Sequence, residues 1–219
     1  MPVMTALGST LWPPAPIRTG RLLLRPAEAR DRGAFVELFA SPEVGAHIGG
    51  ARPRDELDRA VPEVPGQRPG VFVAERGGAM IGMITLDPRG AERPGHVRPE
   101  GAETELGCLF LPEAWGRGYA SEACAAVLGW FAGALPAEPV VLSTRTANDR
   151  AVRLAGRLGF TEAGRFEEYG AEQWFGVWSP AGAAGSDAGE SGADESGDSG
   201  PDACGSGVSG SGGRASGRP

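Results

Sequence analysis

The chain has 219 residues, of which 36 are glycine and 19 are proline, and its formal net charge is −7 at pH 7. This length suffices for one domain with a full hydrophobic core, although length alone also allows two domains. All 21 basic residues are arginine, and they are scattered among 28 acidic residues, so the sequence lacks the basic block that typically binds nucleic acid and we expect no nucleic-acid partner.

The first elements of the chain predict a strand that feeds a helix. Residues 1–15 are proline-rich near their end and predict an irregular lead-in. Residues 21–25 form a short β-type run, and residues 31–40 carry apolar side chains at helical spacing. Ser41-Pro42-Glu43 predicts the end of that helix. Residues 54–61 allow only a short helix because two prolines follow at once.

A hairpin is predicted next. Residues 71–75 and 80–86 are β-rich, and Gly77-Gly78 lies in the short connection between them. A Gly-Gly connection is a strong hairpin signal, so the two strands are expected to pair antiparallel. The charged and proline-containing residues 89–101 then predict a loop.

The centre of the chain predicts a strand, a glycine turn and a helix. The apolar run Leu106–Leu111 predicts a strand that ends at Pro112, since proline supplies no ladder donor. Gly116 and Gly118 follow, and then residues 119–131 have apolar positions at helical spacing. The first backbone N–H groups of a helix lack partners and lie at its positive end, so a phosphate is the natural ligand of such a turn.

The C-terminal part of the body predicts two more layers of secondary structure. Residues 140–144 predict a strand, and residues 148–158 predict a helix that ends at Gly159. Residues 160–169 and 173–179 suit a closing pair of strands. Strands linked by helices tend to run parallel and hairpins antiparallel, so the order predicts an α/β sandwich with a mixed sheet. Composition and spacing alone leave several mixed α/β folds open.

The last forty residues differ in composition from the rest. Residues 180–219 contain twelve glycines and eight serines and no aromatic residue, which cannot bury enough apolar surface to offset the entropy of ordering. We therefore predict one domain over residues 16–179 and a disordered, acidic tail over residues 180–219.

Membrane and secretion signals are weak in this sequence. The first eleven residues lack the basic and long apolar regions of a secretory signal. The most apolar stretch, residues 123–135, is shorter than the ~20 residues that span a bilayer. We expect a cytoplasmic protein without a membrane partner.

The cysteines and histidines predict no metal site. Cys108, Cys124 and Cys204 have neither metal-ligand nor redox spacing. His47 and His96 fall in predicted loops without a cysteine or acid at metal spacing. We expect Cys108 and Cys124 in the core and both histidines at the surface.

Three segments together carry a resemblance to a known family. They are E-L-G at residues 105–107, W-G-R-G-Y-A-S-E-A at residues 115–123 and N-D-R-A-V-R-L-A-G-R-L-G-F at residues 148–160. This pattern resembles the acyl-CoA-binding core of the GNAT superfamily of N-acetyltransferases, and in particular the branch that includes RimJ and RimL. The resemblance covers residues 16–179 and implies a GNAT-like mixed-sheet α/β sandwich.

The resemblance implies acetyl-CoA as the acyl donor, with the pyrophosphate on the glycine turn and the pantetheine arm beside the central strand. The implied cofactor contacts are Leu109, Phe110, Leu111, Arg117, Gly118, Tyr119, Ala120, Ser121 and Asn148. Two of these have a simpler alternative. The Arg117 side chain is equally consistent with a solvated surface residue, and Asn148 is also a good helix N-cap.

The implied reaction is direct attack of a neutral amine on the thioester, which requires a base and donors to the developing oxyanion. Glu105 matches a carboxylate that is common in this branch and is the candidate base, although an acid at a strand end is often only solvated. The hydroxyl groups that many relatives place in the second helix are absent here, since these positions are Ala151 and Ala155. The leaving thiolate is then protonated by water, by Ser143 or by Tyr119, or leaves without enzymatic help.

The predicted acceptor is a primary amine, with an α-amino group favoured over a lysine side chain because a modest base suits the more acidic ammonium. Residues 40–70 and 89–101 are expected to choose the acceptor and carry no motif. One alternative is a non-catalytic acyl-CoA-binding or sensing module. A nucleotide-binding protein is disfavoured, because G-x-x-x-x-G-K-[ST] and G-x-G-x-x-G are absent. We expect a monomer or homodimer.

Overall fold

The computed structural model describes residues 12–98 and 103–180. The strands in this part of the chain are β1 (Ile17–Arg18), β2 (Leu23–Arg25), β3 (Val71–Arg76), β4 (Ala79–Pro88), β5 (Thr104–Phe110), β6 (Val140–Arg145), β7 (Thr161–Glu168) and β8 (Ala171–Trp178). The helices are α1 (Arg32–Ala40), α2 (Pro42–Gly45), α3 (Arg54–Ala60), α4 (Tyr119–Ala134) and α5 (Asp149–Leu158). Residues 1–11 and 181–219, which hold most of the predicted lead-in and tail and include Cys204, lie outside the described residues.

The strands form one eight-stranded mixed sheet in the order β1-β2-β3-β4-β5-β6-β8-β7. Only the β5–β6 pair is parallel, and every other neighbouring pair is antiparallel. The two strands of the parallel pair are linked by α4, as expected for a crossover connection. The predicted fold class, a mixed-sheet α/β sandwich, is confirmed.

Helices cover both faces of the sheet, so the core has two parts. The α4-side core lies between the sheet and helices α4 and α5, and it includes Leu24, Phe72, Ile84, Leu106, Phe110, Val127, Phe131 and Ala155. The α1-side core lies between the sheet and helices α1 and α2, and it includes Phe35, Leu38, Val44, Val71, Val73, Met83 and Leu111. Successive strand residues point to opposite faces, which is why Phe72 belongs to one core and its neighbours Val71 and Val73 to the other.

Strands β5 and β6 pair only at their first residues. The pairs are Thr104 with Val140 and Glu105 with Val141. After Glu105 the two strands separate, while β6 continues to pair with β8 as far as Arg145. The middle of the sheet therefore contains a cleft that opens from Glu105 towards the C-terminal ends of β5 and β6.

Several element boundaries differ from the predictions. Ser41 does not simply end α1, because its Oγ accepts a hydrogen bond from Val44 N at 3.2 Å and caps the start of α2. Pro42 occupies the first turn of this helix, where its missing N–H costs nothing. The strand β1 was not predicted, since two residues are too few to show a period. The central strand begins at Thr104 and not at Leu106.

Within residues 12–98 and 103–180, no helix combines the length and the apolar character that crossing a membrane requires.

Candidate active site

The glycine turn before α4 has the geometry of an anion site. Gly116 and Gly118 both have left-handed backbone angles, with φ of 73° and 77°. The first helical hydrogen bond of α4 runs from Glu122 N to Gly118 O at 3.1 Å. The N–H groups of Tyr119, Ala120 and Ser121 precede that bond and therefore have no intrahelical acceptor. Three clustered donors at the positive end of a sixteen-residue helix can hold a phosphate.

Arg21, from the N-terminal part of the domain, forms hydrogen bonds with this turn. Arg21 Nη1 donates to Arg117 O at 2.8 Å, and Arg21 Nε donates to Glu122 Oε2 at 2.6 Å. Thr19 Oγ1 also donates to Glu122, at 2.6 Å from Oε1. Burial acts to raise the pKa of Glu122, but the hydrogen bonds from Thr19 and Arg21 outweigh it and the pKa lies below its ordinary value. A fixed guanidinium thus lies beside the bare N–H groups, and the sequence carried no signal for it.

Tyr119 belongs to this turn, which follows the C-terminal end of β5, whereas Glu105 lies near the N-terminal end of that strand. Tyr119 is 5% exposed, and its ring centroid lies 4.7 and 5.3 Å from the guanidinium carbons of Arg21 and Arg76. The structure therefore brings together two of the three predicted catalytic residues and leaves Tyr119 apart from them.

The edge of β5 that faces the cleft has main-chain groups available for pairing. Leu111 N donates to Ile81 O of the β4 side at 3.0 Å. Because main-chain groups alternate in direction, those of Phe110 and Cys108 face the cleft. Phe110 O already accepts from Trp115 Nε1 at 2.7 Å. Of the three residues predicted to line the cofactor arm, Phe110 thus offers its backbone N–H, and Leu111 does not.

The start of α5 lies on the other side of the cleft. Asn148 Oδ1 accepts from Ala151 N at 3.2 Å, so Asn148 is the N-cap of α5, and its Nδ2 lies 3.3 Å from Thr144 Oγ1. The guanidinium of Arg150 lies 5.2 Å from the ring centroid of Trp115. This contact joins the segment after β5 to the helix after β6, and so it crosses the cleft.

Glu105 and Ser143 meet where β5 and β6 separate. Ser143 Oγ donates to Glu105 Oε1 at 2.5 Å. The side chain of Glu105 is 15% exposed. Residues 105, 109 and 111 share one face of β5, so Glu105 lies on the sheet face that α1 and α2 cover further along the strand. An acid and a hydroxyl group therefore share the narrow end of the cleft.

Two arginines from the loop between β4 and β5 also bind this carboxylate. Arg89 Nη1 donates to Glu105 Oε1 at 2.8 Å, and Arg93 Nη1 donates to Glu105 Oε2 at 2.6 Å. Arg93 also binds Glu168 through two nitrogens, and this hydrogen-bonded pair holds the pKa of Glu168 below its ordinary value. The loop was predicted, but nothing in its sequence indicated which of its arginines reach the site.

The expected surface position of His96 is wrong. The His96 side chain is 17% exposed, and its Nδ1 lies 2.7 Å from Oε2 of Glu103, whose side chain is fully buried. Glu103 Oε1 accepts from the backbone N–H groups of Val97 and Arg98 at 2.8 Å each. Glu103 therefore binds both the side chain of His96 and the backbone of the loop before β5. Because a buried carboxylate requires hydrogen-bond donors, these contacts account for the partly buried position of His96. His47 is exposed, as expected.

Two cysteines were expected in the core, and no metal site was expected. Cys124 is fully buried in α4 and Cys108 is partly buried in β5. Among the described residues, no group of three or more histidine, cysteine, aspartate or glutamate side chains is placed to hold a metal ion.

A cavity of about 670 Å³ opens beside Leu111, Pro112 and Glu113. It lies at the opposite end of β5 from Glu105, roughly 20 Å along the strand at 3.3 Å per residue, and so it is separate from the Glu105 site.

The comparisons with known proteins agree with this geometry. Residues 21–161 match the family model of the acetyltransferase (GNAT) domain. The chain belongs to the GNAT acetyltransferase family, and it is an N-acetyltransferase of that family. This confirms the resemblance found in the sequence.

Individual relatives are distant. The uncharacterised N-acetyltransferase YoaA of Bacillus subtilis (strain 168) is 24% identical over 156 residues, which cover 70% of this chain and 86% of that protein. RimL, a ribosomal L7/L12 α-N-protein acetyltransferase solved in complex with coenzyme A, has a TM-score of 0.60 at 17% identity, over 76% of this chain and 98% of RimL. Aminoglycoside acetyltransferase AAC(6')-Ib, also solved with coenzyme A, has a TM-score of 0.58 at 16% identity, over 71% of this chain and 93% of that one. At such low sequence identities, the two structural matches show that the fold is shared.

Proposed function

We propose that this protein transfers the acetyl group of acetyl-CoA to the α-amino group of a peptide or protein N-terminus, or of an amino-acid-like small molecule. The observation that carries the proposal is the single cleft between β5 and β6. It has bare helix N–H groups at its wide end and the Glu105–Ser143 pair at its narrow end. A long, extended thioester that carries a pyrophosphate suits this arrangement.

In the proposed complex the pyrophosphate is held by the turn at the start of α4. Its ligands are the backbone N–H groups of Arg117, Gly118, Tyr119, Ala120 and Ser121. Arg21 adds a positive charge at the same turn, since its guanidinium is already fixed by Glu122. The pantetheine arm runs along β5, where the Phe110 N–H faces the cleft and the side chains of Leu109 and Leu111 line the strand. Asn148 acts indirectly, by starting α5 on the far side of the cleft.

The proton steps are assigned to the narrow end of the cleft. Glu105 takes one proton from the acceptor ammonium, directly or through a water, and the neutral amine attacks the carbonyl carbon. The C–S bond breaks as the C–N bond forms, and the sulfur receives a proton from Ser143, which is hydrogen-bonded to Glu105. Ser143 regains a proton from water, and the second proton that the nitrogen loses as the amide forms passes to water together with the proton held by Glu105. Tyr119 is assigned no part in these steps, because it lies at the turn beyond the opposite end of β5 from Glu105, with its ring near Arg21 and Arg76.

The choice of an α-amine rests on the strength of the base. An α-ammonium has a pKa of about 8 and a lysine ammonium about 10.4, so the lysine costs roughly 3 kcal/mol more to deprotonate near neutral pH. Glu105 already accepts hydrogen bonds from two guanidinium groups and one hydroxyl group. With one carboxylate assigned as the base and no further basic group assigned beside it, the more acidic ammonium is the favoured acceptor.

The test is acetyl transfer measured by product mass with two matched peptides. One has a free N-terminus and no lysine, and the other has a blocked N-terminus and one free lysine. We expect the first to be acetylated faster. Faster acetylation of the second would contradict the acceptor assignment, and binding of CoA without turnover of any amine would favour the non-catalytic acyl-CoA-binding module.

The wider expectations stay predictions. They are a cytoplasmic location, a monomer or homodimer, and the absence of nucleic-acid, membrane and metal partners. A small-molecule acceptor keeps its place beside the peptide because AAC(6')-Ib, which shares the fold, is an aminoglycoside acetyltransferase.

A further inference from the structure

Arg89 is a charged side chain in a position where charge is costly. Its side chain is fully buried. Nε donates to Gly95 O at 2.8 Å and Nη2 donates to Pro94 O. The guanidinium carbon lies 5.4 and 5.3 Å from the ring centroids of Phe166 and Phe175. Burying a guanidinium costs several kcal/mol unless its donors and charge are matched, so its orientation is fixed by the loop and the rings around it.

The third nitrogen of the Arg89 guanidinium, Nη1, is directed at the active-site pair. Nη1 donates to Glu105 Oε1 at 2.8 Å and lies 3.3 Å from Ser143 Oγ. Arg93 approaches the same carboxylate from the other side, with Nη1 at 2.6 Å from Glu105 Oε2. The carboxylate is therefore held at both oxygens and cannot rotate without breaking a charge-assisted hydrogen bond.

This arrangement determines which lone pair of Glu105 is available. An ionised carboxylate offers about four acceptor sites, two on each oxygen. Oε1 accepts from Arg89 and Ser143, and Oε2 accepts from Arg93. One acceptor site is left, on Oε2, and it is the site that an acceptor ammonium or an intervening water must reach.

We propose that Arg89 and Arg93 are positioning residues for Glu105. They fix the carboxylate so that its last acceptor site on Oε2 is presented to the amine. This inference rests on the proposed function, in which Glu105 accepts the proton. Neither arginine touches the substrate in this assignment, and both act through the carboxylate.

The alternative role for Arg93 is purely structural, and its pairing with Glu168 allows the two roles to be distinguished. Arg93 also binds Glu168 in a bidentate pair, at 2.9 Å from Nε to Oε1 and 2.8 Å from Nη2 to Oε2. If neutralising Glu168 were the whole function of Arg93, removing both charges together would restore activity. If Arg93 acts through Glu105, the double change leaves activity low.

Arg98 provides a matched control in the same loop. Its side chain is 33% exposed against 26% for Arg93, and each forms an ion pair with a carboxylate. The partner of Arg98 is Glu138, at 2.7 Å, and its side chain makes no contact with Glu105 among the described residues. R93Q and R98Q therefore remove similar side chains that differ in their connection to the active site.

The experiment measures kcat, the KM for acetyl-CoA and the thermal unfolding midpoint of the full chain and four variants, R93Q, R98Q, E168Q and R93Q/E168Q. We expect kcat to fall by about tenfold to 100-fold in R93Q and in the double variant, since displacement by about 1 Å can cost 100-fold. E168Q and R98Q should keep kcat within about twofold, and the KM for acetyl-CoA should be unchanged in all four.

Wild-type kcat in R93Q, or recovery of kcat in R93Q/E168Q, overturns the inference while leaving the proposed function intact. A loss in R98Q as large as that in R93Q would assign the effect to the loop as a whole and would also overturn it. Absence of amine acetylation by the unmodified chain overturns the proposed function, and the inference with it. Should R93Q unfold, R93K supplies the same comparison, because it keeps the charge but loses the planar fork that binds two carboxylates; wild-type kcat in R93K would then count against positioning by the fork.

Discussion

The two ends of the cleft are built in different ways. At the wide end, the proposed phosphate site consists of consecutive residues, Arg117 to Ser121, and its donors are backbone N–H groups. At the narrow end, Glu105 is held by side chains from a loop and from β6, and its most distant partner in the sequence, Ser143, is 38 positions away. A site made of local backbone tolerates most side chains but depends on conformation, whereas a site made of remote side chains depends on each partner. Variants at the two ends should therefore fail in different ways.

The largest expected effect is at the wide end, in Gly118→Val. Gly118 has φ of 77°, which a β-branched residue adopts only with strain, and its added atoms would project towards Arg21 Nη2, 3.4 Å from the Cβ position. We expect the affinity for CoA to fall by roughly 100-fold, which corresponds to about 2.7 kcal/mol. Titration calorimetry with CoA measures this directly.

Gly159→Val is the control for backbone strain. Gly159 has φ of 88° at the end of α5, and a Cβ added there would meet only Trp178, at 3.7 Å or more. This variant should lose thermal stability to a similar extent yet bind CoA within about threefold of the wild type. Equal loss of CoA affinity in both variants would mean that strain, and not the phosphate site, is being measured.

The second effect is expected in Glu105→Gln, which should lower kcat and leave CoA binding nearly unchanged. Glutamine keeps the shape of the side chain but cannot take a proton, so kcat should fall by about 100-fold, within the range for loss of a general base. The dissociation constant for CoA should stay within about twofold. Glu138→Gln, which removes a carboxylate that pairs with Arg98, should change neither quantity. An E105Q enzyme with full kcat would remove the proton-transfer assignment.

The same contrast explains what the sequence could and could not predict. The turn at Gly116 and Gly118 was predictable because glycine spacing, a preceding proline and helical periodicity are all local signals. The mixed topology of the sheet followed from the order of elements along the chain and from the family resemblance. Arg89 and Arg93 were not predictable, since a buried and a half-buried arginine look alike in a sequence whose basic residues are all arginine. The contacts of Arg89 and Arg93 with Glu105 depend on where the loop between β4 and β5 lies against the folded sheet.

A third effect concerns stability and not catalysis. Burial acts to raise the pKa of Glu103, but the hydrogen bond from His96 and those from backbone N–H groups, including Arg98 and Val97, lower it below the ordinary 4.5. A depressed carboxyl pKa contributes stability above pH 4.5, and this contribution is lost as pH falls through the lower folded value. At pH 7 we expect Glu103→Gln to lower the free energy of unfolding by about 1.5–3 kcal/mol, typical of hydrogen bonds to a charged group.

Urea unfolding at pH 7, 5 and 3.5 checks the sign for Glu103. The difference in unfolding free energy between wild type and E103Q should be largest at pH 7 and 5 and smaller at pH 3.5, as the wild-type carboxylate takes up its proton. A difference that does not change with pH would show that the Glu103 carboxyl group has the same pKa in the folded and unfolded states.

The smallest expected effect links the two kinds of site. Arg21 is a remote side chain, like Arg89, but it serves the backbone phosphate site, and its side chain is 49% exposed. An exposed charge contributes up to about 1 kcal/mol, so Arg21→Gln should weaken CoA binding by roughly threefold to fivefold. Salt screens exposed charges, and the difference from wild type should therefore shrink at about 1 M salt, where the Debye length is ~3 Å. Arg18→Gln, an exposed arginine on β1, should leave the affinity unchanged. An R21Q effect of 100-fold would instead mean that Arg21 sets the conformation of the turn through Arg117 O, and that the wide end of the cleft depends on a remote side chain as strongly as the narrow end does.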